Sequence, residues 1–357
     1  MPQPLAHQHP PDGLLGRRHF TSLALCSAVA LAVPAVLAQT KPEKSKITIA
    51  VGGKATIYYL PLTIADQLGF FEAEGLQIEI NDFVGGANSV QAGLTGQADV
   101  ISAAFEHTIS LQAKNQFYQA FVLMGRAPQI ALGVSTKTLP GYKGIGDLRG
   151  KKIGISAPGT STNMMANLAL SRAGLKAENV TYVGVGAGAE ALSAVRAGHI
   201  DALCNVDPVM TMLEQKGEVR IVLDTRTLKG SMDVFGGPMP AACLLASVDF
   251  LRANPKTAQA LANGIVRALK WLQTAGPGDI IKAVPDSYLL NDRALYLASF
   301  NKVHEAIALD GMFPEEGAKT ALRVIARFEP TVVADRIALA RTFTNEFARR
   351  AKAKFSA

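Results

Sequence analysis

From residue 46 onward the chain alternates short apolar or alternating runs with stretches of helical periodicity. Lys46–Val51 (KITIAV) reads as a strand, and a helix is expected over Leu62–Leu68, ended by Gly69. Gln77–Asp82 is a second strand. Gly85-Gly86 opens a helix that runs to Gly96, Val100–Ala103 is a third strand, and Thr108–Lys114 is helical. Alternating β and α units predict a mainly parallel sheet covered by helices, an α/β fold.

The plan then restarts. Lys152, Ile153 and Ile155 repeat Lys46, Ile47 and Ile49 at an offset of 106, and Gly159 and Thr162 repeat Gly53 and Thr56 at the same offset. Gly188, Ala189, Ala194, Gly198 and Asp201 repeat Gly86, Ala87, Ala92, Gly96 and Asp99 at an offset of 102. Repeats of that length are duplicated domains and not solenoid units. The last third has no such echo and reads as helices. Asn254 is the expected cap of a helix that begins at Pro255, with Ala258, Leu261, Ile265, Leu269 and Leu272 on one face. A final helix is expected over about Val333–Lys352, with Ile337, Ala340, Phe343 and Phe347 forming its stripe. Gly and Pro cluster near 126–130 and 236–241, where the chain is expected to cross between two lobes. Lobe I is then 44–127 together with the helical segment 239–357, and lobe II is 128–238.

Composition changes this picture little. Hydrophobic residues make up 48% and charged residues 18% of the 357 positions, a globular composition. The formal net charge of +7 favours anionic partners mildly, and no Lys/Arg block suggests a nucleic-acid surface. The first 38 residues matter more. Arg17 and Arg18 precede an apolar run from Phe20 to Ala38 that ends in the small-residue sequence Ala35-Val36-Leu37-Ala38. This pattern reads as a cleavable export signal over 1–38, of ordinary secretory or twin-arginine type, with an uncleaved anchor as the alternative. Export places the mature chain in the periplasm. Cys204 and Cys243 would remain after cleavage. Cys204, in the apolar run 202–204, reads as a small buried hydrophobe, and an oxidising compartment leaves a disulfide between the two open.

Candidate chemistry lies in four loops: 52–56, 85–89, 158–163 and 186–188. Each is rich in Gly, Ser or Thr and leads toward a helix start. In open α/β sheets ligands bind at the carboxyl ends of strands, where free helix N–H groups favour negative charge. Turns and helix caps explain any one of these loops. Four matched loops point to a cleft.

Tyr59–Ala65 (YLPLTIA), Leu68–Leu76 (LGFFEAEGL), Phe83–Ala87 (FVGGA) and Gly96–Val100 (GQADV) resemble the opening of a known group. These are the periplasmic substrate-binding proteins of ABC transporters for sulfonates, nitrate and taurine, related to thiamine-pyrimidine synthases. The resemblance is dense from Lys46 to Lys114, looser from Leu148 to Asp207 and weak after Pro255. It implies a two-lobed, hinge-closing periplasmic-binding-protein fold of type II. It further implies a monomeric receptor without cofactor that hands a small anionic or zwitterionic molecule to an inner-membrane ABC permease. The ligand-facing positions it implies are Thr56, Tyr58, Tyr59, Gly86, Ala87, Asn88, Phe105, Glu106, His107, Thr160, Ser161, Thr162, Asn163 and Asp207. Tyr58, Tyr59 and Phe105 are either apolar walls or core. Glu106 either faces the ligand, favouring an amine or zwitterion over a bare anion, or sits in the first turn of a helix. Arg126 is either a counter-ion for a carboxylate or sulfonate or a hinge residue.

Rival readings fit less well. A synthase-like enzyme would need the cysteine-rich motif of that branch. This chain lacks one, its His107, His199 and His304 are scattered, and it has no G-x-S-x-G elbow. Binding of a pyrimidine precursor without chemistry stays open. Gly184-x-Gly186-x-x-Ala189 matches a dinucleotide fingerprint locally, but the duplication explains the same residues and Asp201 lies at the start of the next strand. A signalling role is not separable from transport by sequence.

Overall fold

The computed structural model describes residues 41–356, so the export signal expected over 1–38 lies outside the described residues. The strands are β1 (Lys46–Val51), β2 (Gln77–Asp82), β3 (Val100–Ala104), β4 (Tyr118–Leu123), β5 (Ile130–Ser135), β6 (Lys152–Ile155), β7 (Thr181–Gly184), β8 (Ala202–Val206), β9 (Val219–Asp224) and β10 (Ala242–Ser247). They form two five-stranded sheets in the orders β2-β1-β3-β10-β4 and β7-β6-β8-β5-β9. In the first, β1 runs parallel to β2 and β3, while β10 is antiparallel to β3 and β4. In the second, β6 runs parallel to β7 and β8, while β5 is antiparallel to β8 and β9. The single reversed strand of each sheet is the one that arrives from the other sheet. Both sheets are therefore mixed, and they are copies of one plan.

The hydrophobic pattern explains strand placement. β3, β5 and β8 lie inside their sheets, covered on both faces, and every residue in them is buried. The edge strands β2 and β7 keep polar, partly exposed residues.

Helices α1 (Leu60–Gln67), α2 (Gly86–Leu94) and α3 (Glu106–Ala113) accompany the first sheet. Helices α4 (Ser161–Ser171), α5 (Ala189–Ala197), α6 (Val209–Gln215) and α7 (Leu228–Phe235) follow in the second part. The C-terminal third adds α8 (Val248–Ala253), α9 (Pro255–Thr274), α10 (Pro277–Ala283), α11 (Arg293–Val303), α12 (Glu315–Ile325) and α13 (Glu346–Phe355). Among the described residues, no helix is long and apolar enough to cross a membrane.

Two local expectations give way to long-range partners. Asn254 does not cap α9; its Nδ2 donates to Phe250 O at 3.1 Å and closes α8. The carboxylate of Glu43 caps α9 instead, accepting from Lys256 N and Thr257 N, each at 2.9 Å. The last helix begins at Glu346, not near Val333. Ahead of it, Thr342 and Thr344 flank Phe343 along the open edge of β4, with Ala120 N donating to Thr342 O at 3.0 Å and Thr344 N to Ala120 O at 2.9 Å. Satisfying the unpaired edge of β4 outweighs helix formation by a stretch with β-branched threonines.

The stripe of α9 is fully buried as read, and α9 packs on α13, α1 and β4. By contrast, α11 packs on α6, so the C-terminal third touches both halves. Cys204 lies in β8 and Cys243 in β10, in different sheets, both buried and unpaired. Burial holds both thiols above their ordinary pKa. Neither should react with an aromatic disulfide reagent in the folded protein, and both should react once urea unfolds it; fast labelling of the native state would contradict this packing.

Candidate functional site

The carboxyl ends of β1, β2 and β3 face those of β6, β7 and β8. A Cβ placed on Gly85, in the loop after β2, would lie 2.9 Å from Thr160 Cγ2 and 3.1 Å from Ala157 Cβ. Gly53 faces Ala187 and Gly159 faces Ala87 in the same way. Hydrogen bonds also cross between the halves here. Ile57 N donates to Asp207 O at 3.0 Å, and Ser161 Oγ donates to Glu106 Oε1 at 2.5 Å.

Three recesses line this seam. The central one, about 40 Å³, is walled by Thr56, Tyr58, Tyr59 and Gly86 from the first half and by Ser156, Thr160, Ser161 and Thr162 from the second. Thr160 and Ser161 also wall a chamber of about 200 Å³ with Glu106, His107, Asn163 and Glu329. On the other side, Thr56 and Ala187 also wall a recess of about 490 Å³ that contains Asp82 and Glu190. The three recesses adjoin along the seam through these shared walls and together form the cleft.

Local chemistry holds the walls in place. Asp82 Oδ1 accepts from Gly53 N at 3.0 Å and Lys54 N at 2.8 Å, which fixes the loop after β1. Ser156, Thr160 and Thr162 join their hydroxyls at 2.8–3.1 Å in a buried cluster that shapes the loop after β6. The rings of Tyr58 and Tyr59 meet edge to face at 4.8 Å. The starts of α2, α4 and α5 open on the cleft, and none is capped by its own N-cap side chain.

The cleft is acidic. Glu106, Glu329, Asp82 and Glu190 line it, and no Lys or Arg does among the described residues. Burial raises the Glu106 carboxyl, partly offset by the Ser161 hydroxyl. Burial, with Glu106 nearby, holds the Tyr58 phenol far above its ordinary range. Several buried polar atoms here have no hydrogen-bond partner: Tyr58 Oη, His107 Nε2 and Asn163 Nδ2. Leaving such groups unpaired costs about 1–3 kcal/mol each.

Burial also depresses His107, to a pKa of about 4. Below pH 6.5 the unfolded chain takes up a proton that the folded chain refuses until about pH 4. Stability is therefore lost as pH falls through that window, by about 2 kcal/mol from this residue between pH 7 and 5. Asp207, pushed up to about 6 by burial, acts with the opposite sign between pH 6 and 3.8. The comparison that isolates His107 is wild type against His107→Asn: their melting temperatures should converge as pH drops from 7 to 5, and parallel curves would refute the assignment.

Several sequence candidates lie away from the cleft. Phe105 is fully buried and stacks on Phe313 and Phe343 at centroid distances of 5.5 and 6.0 Å, which makes it core. Asn88 Nδ2 turns back to Val84 O, and Ala87 meets the other half at Gly159 without lining a recess. Asp207 points its carboxylate at Thr211 N and Arg226, offering only its backbone oxygen to the first half. Arg126 donates through Nε to Glu305 O and lines a different cavity. Conversely, Ser156 and Glu329 were not singled out by sequence. The hydroxyls at 156, 160 and 162 around Gly159 were a usable signal for the first, and nothing local marks the second. Among the described residues no cluster of His, Cys, Asp and Glu is arranged to hold a metal.

Known proteins share this architecture. A protein of Bordetella bronchiseptica RB50, known from its solved structure, is 56% identical, with 89% of this chain covering 100% of that one at a TM-score of 0.87. The alkanesulfonate-binding protein SsuA of Xanthomonas axonopodis pv. citri, bound to MOPS, is 18% identical over 85% of this chain and 99% of its own, with a TM-score of 0.64. That likeness is one of fold. A putative binding protein of Bacillus subtilis (strain 168), YtlA, is 22% identical over 71% of this chain and 74% of its own. Residues 40–283, most of the described chain, match the NMT1-like family. Two mixed sheets with facing strand ends and this match across both of them make the chain a member of the NMT1-like family.

Proposed function

We propose that the chain is an extracytoplasmic solute receptor that captures a small organic molecule in the cleft and delivers it to an ABC permease. Export by the signal over 1–38 and residence in the periplasm belong to the same reading. The cleft closes on its ligand because contacts from both halves favour the closed arrangement. Thr56, Tyr58, Tyr59, Gly86, Glu106, His107, Thr160, Ser161, Thr162 and Asn163 are the proposed contacts.

The observation that carries the reading of the ligand is a cleft lined by carboxylates, with no cation, around unpaired polar atoms. The amide-rich helix starts would attract an anion by about 0.3–2 kcal/mol. A like charge about 4 Å from a carboxylate costs about 4 kcal/mol at an effective dielectric of 20. Repulsion wins for a bare anion. The sequence expectation of an anionic or zwitterionic ligand therefore shifts to a molecule that donates to Glu106: an amine, a zwitterion or an N–H-bearing ring flanked by the tyrosines. The sulfonate bound by SsuA belongs to a protein only 18% identical and does not carry over.

A thermal-shift screen of amines, amino acids, taurine, aminopyrimidines, alkanesulfonates and nitrate tests this, since a ligand of the folded state raises stability. Donor-bearing compounds should raise the melting temperature of wild type but not of Glu106→Gln. Stabilisation by alkanesulfonate or nitrate alone would overturn the ligand class. Stabilisation without compaction in small-angle scattering would overturn the closing receptor.

A further inference from the structure

A cavity of about 500 Å³ lies outside the cleft and shares no lining residue with its three recesses. Its walls come from both stretches of chain that pass between the sheets and from what packs on them. Leu123 and Arg126 stand at the first passage, Ser231 and Met232 on α7 before the second, and Leu309 and Phe313 on the turn after α11. The volume is in the range of small-molecule sites.

Three features mark it as built to receive something. Met232 and Leu309 leave 47% and 46% of their surface exposed at its mouth, so apolar area waits to be covered. Ser231 is 2% exposed, lines the cavity, and its Oγ has no hydrogen-bond partner. The guanidinium of Arg126 spends one N–H on Glu305 O and forms no ion pair among the described residues. Asp310, the one acid in the lining among the described residues, is already matched by Lys352 Nζ at 2.7 Å and by Met312 N at 3.1 Å.

We propose that this cavity is a second binding site, for an amphipathic monoanion: a compact apolar body with one carboxylate or sulfonate. The apolar body covers Met232, Leu309 and Phe313, the acid group meets Arg126, and an acceptor oxygen takes the Ser231 hydroxyl. The chemistry is opposite to that of the cleft, which repels anions, so the two sites select different molecules.

The probe is 8-anilinonaphthalene-1-sulfonate, followed by its fluorescence on the folded mature protein. Saturable binding of one dye per chain is expected. Arg126→Gln should weaken it about tenfold, and Leu309→Glu, at an exposed position, should abolish it while the melting temperature holds. Glu106→Gln, in the cleft, should leave it unchanged. Decanoate should displace the dye and decanol should not. Absence of saturable binding, indifference to Arg126→Gln and Leu309→Glu, or loss in Glu106→Gln would each overturn the site. Equal displacement by decanol would overturn the acid group.

Discussion

Arg226→Met should cost the protein about 3–5 kcal/mol, the largest loss expected from any single side chain of the second half. Arg226 is fully buried. Its Nε and Nη2 hold Asp224 in a two-pronged grip at 2.9 and 2.7 Å, Nη2 also reaches Glu214 at 2.7 Å, and Nη1 donates to Thr211 at 3.0 Å. Asp224 and Glu214 are about one-third exposed and would return to water. Asp207 has no such escape. It is 1% exposed, its Oδ2 has no hydrogen-bond partner, and Arg226 Nη1 at 3.8 Å is its compensating charge. Without that charge burial drives the carboxyl to take up a proton, at a cost to folding. Part of the loss should therefore vanish in Arg226→Met with Asp207→Asn, which keeps an acceptor for Thr211 N. Urea unfolding of the single and double variants reads both numbers. A loss under about 1 kcal/mol for Arg226→Met, or no recovery in the double variant, would show that the network carries little.

The Arg226 network also shows what the sequence does and does not disclose. Strand and helix order was legible because it depends on neighbours in the chain: the alternation of KITIAV, the glycines that end helices, and the two offsets that give the duplication. The cleft loops were legible for the same reason, since a strand end followed by Gly and Ser/Thr is a local signature. What failed to show is the direction in which a side chain points, because its partner lies far along the chain. Phe105 goes to Phe313 and Phe343, and Arg126 to Glu305. Glu43 travels 213 residues to cap α9, and Glu329 enters the cleft from a segment with no repeat to place it. The expectation of an anionic or zwitterionic ligand rested on the family resemblance, and a resemblance carries ligand charge less far than fold: charge is set by a few side chains, while the fold is set by many.

Gly85→Val should raise the apparent dissociation constant for the cleft ligand by about a hundredfold while leaving the protein folded. Two effects act at this position, and they can be separated. Its φ of +77° with ψ of 158° lies in a region that glycine occupies almost alone, so a Val there carries a backbone strain of about 1–3 kcal/mol, paid with the cleft open or closed. The new side chain would also lie 2.9 Å from Thr160 Cγ2 and 3.1 Å from Ala157 Cβ, which belong to the other half. That clash exists with the halves together and is relieved when they part. A penalty of about 3 kcal/mol on the closed state alone lowers its population, and with it the affinity, by about two decades. Gly96 supplies the control. It has the same φ of +77°, but a Cβ there meets nothing within 4 Å. Gly96→Val therefore carries a positive-φ strain without the obstruction. With a compound that stabilises wild type, Gly96→Val should bind and compact in small-angle scattering like wild type, at a lower melting temperature. Gly85→Val should also melt lower without ligand, and should show neither tight binding nor compaction with it. Equal behaviour of the two variants would mean that the approach of Gly85 to Thr160 plays no part in holding the ligand.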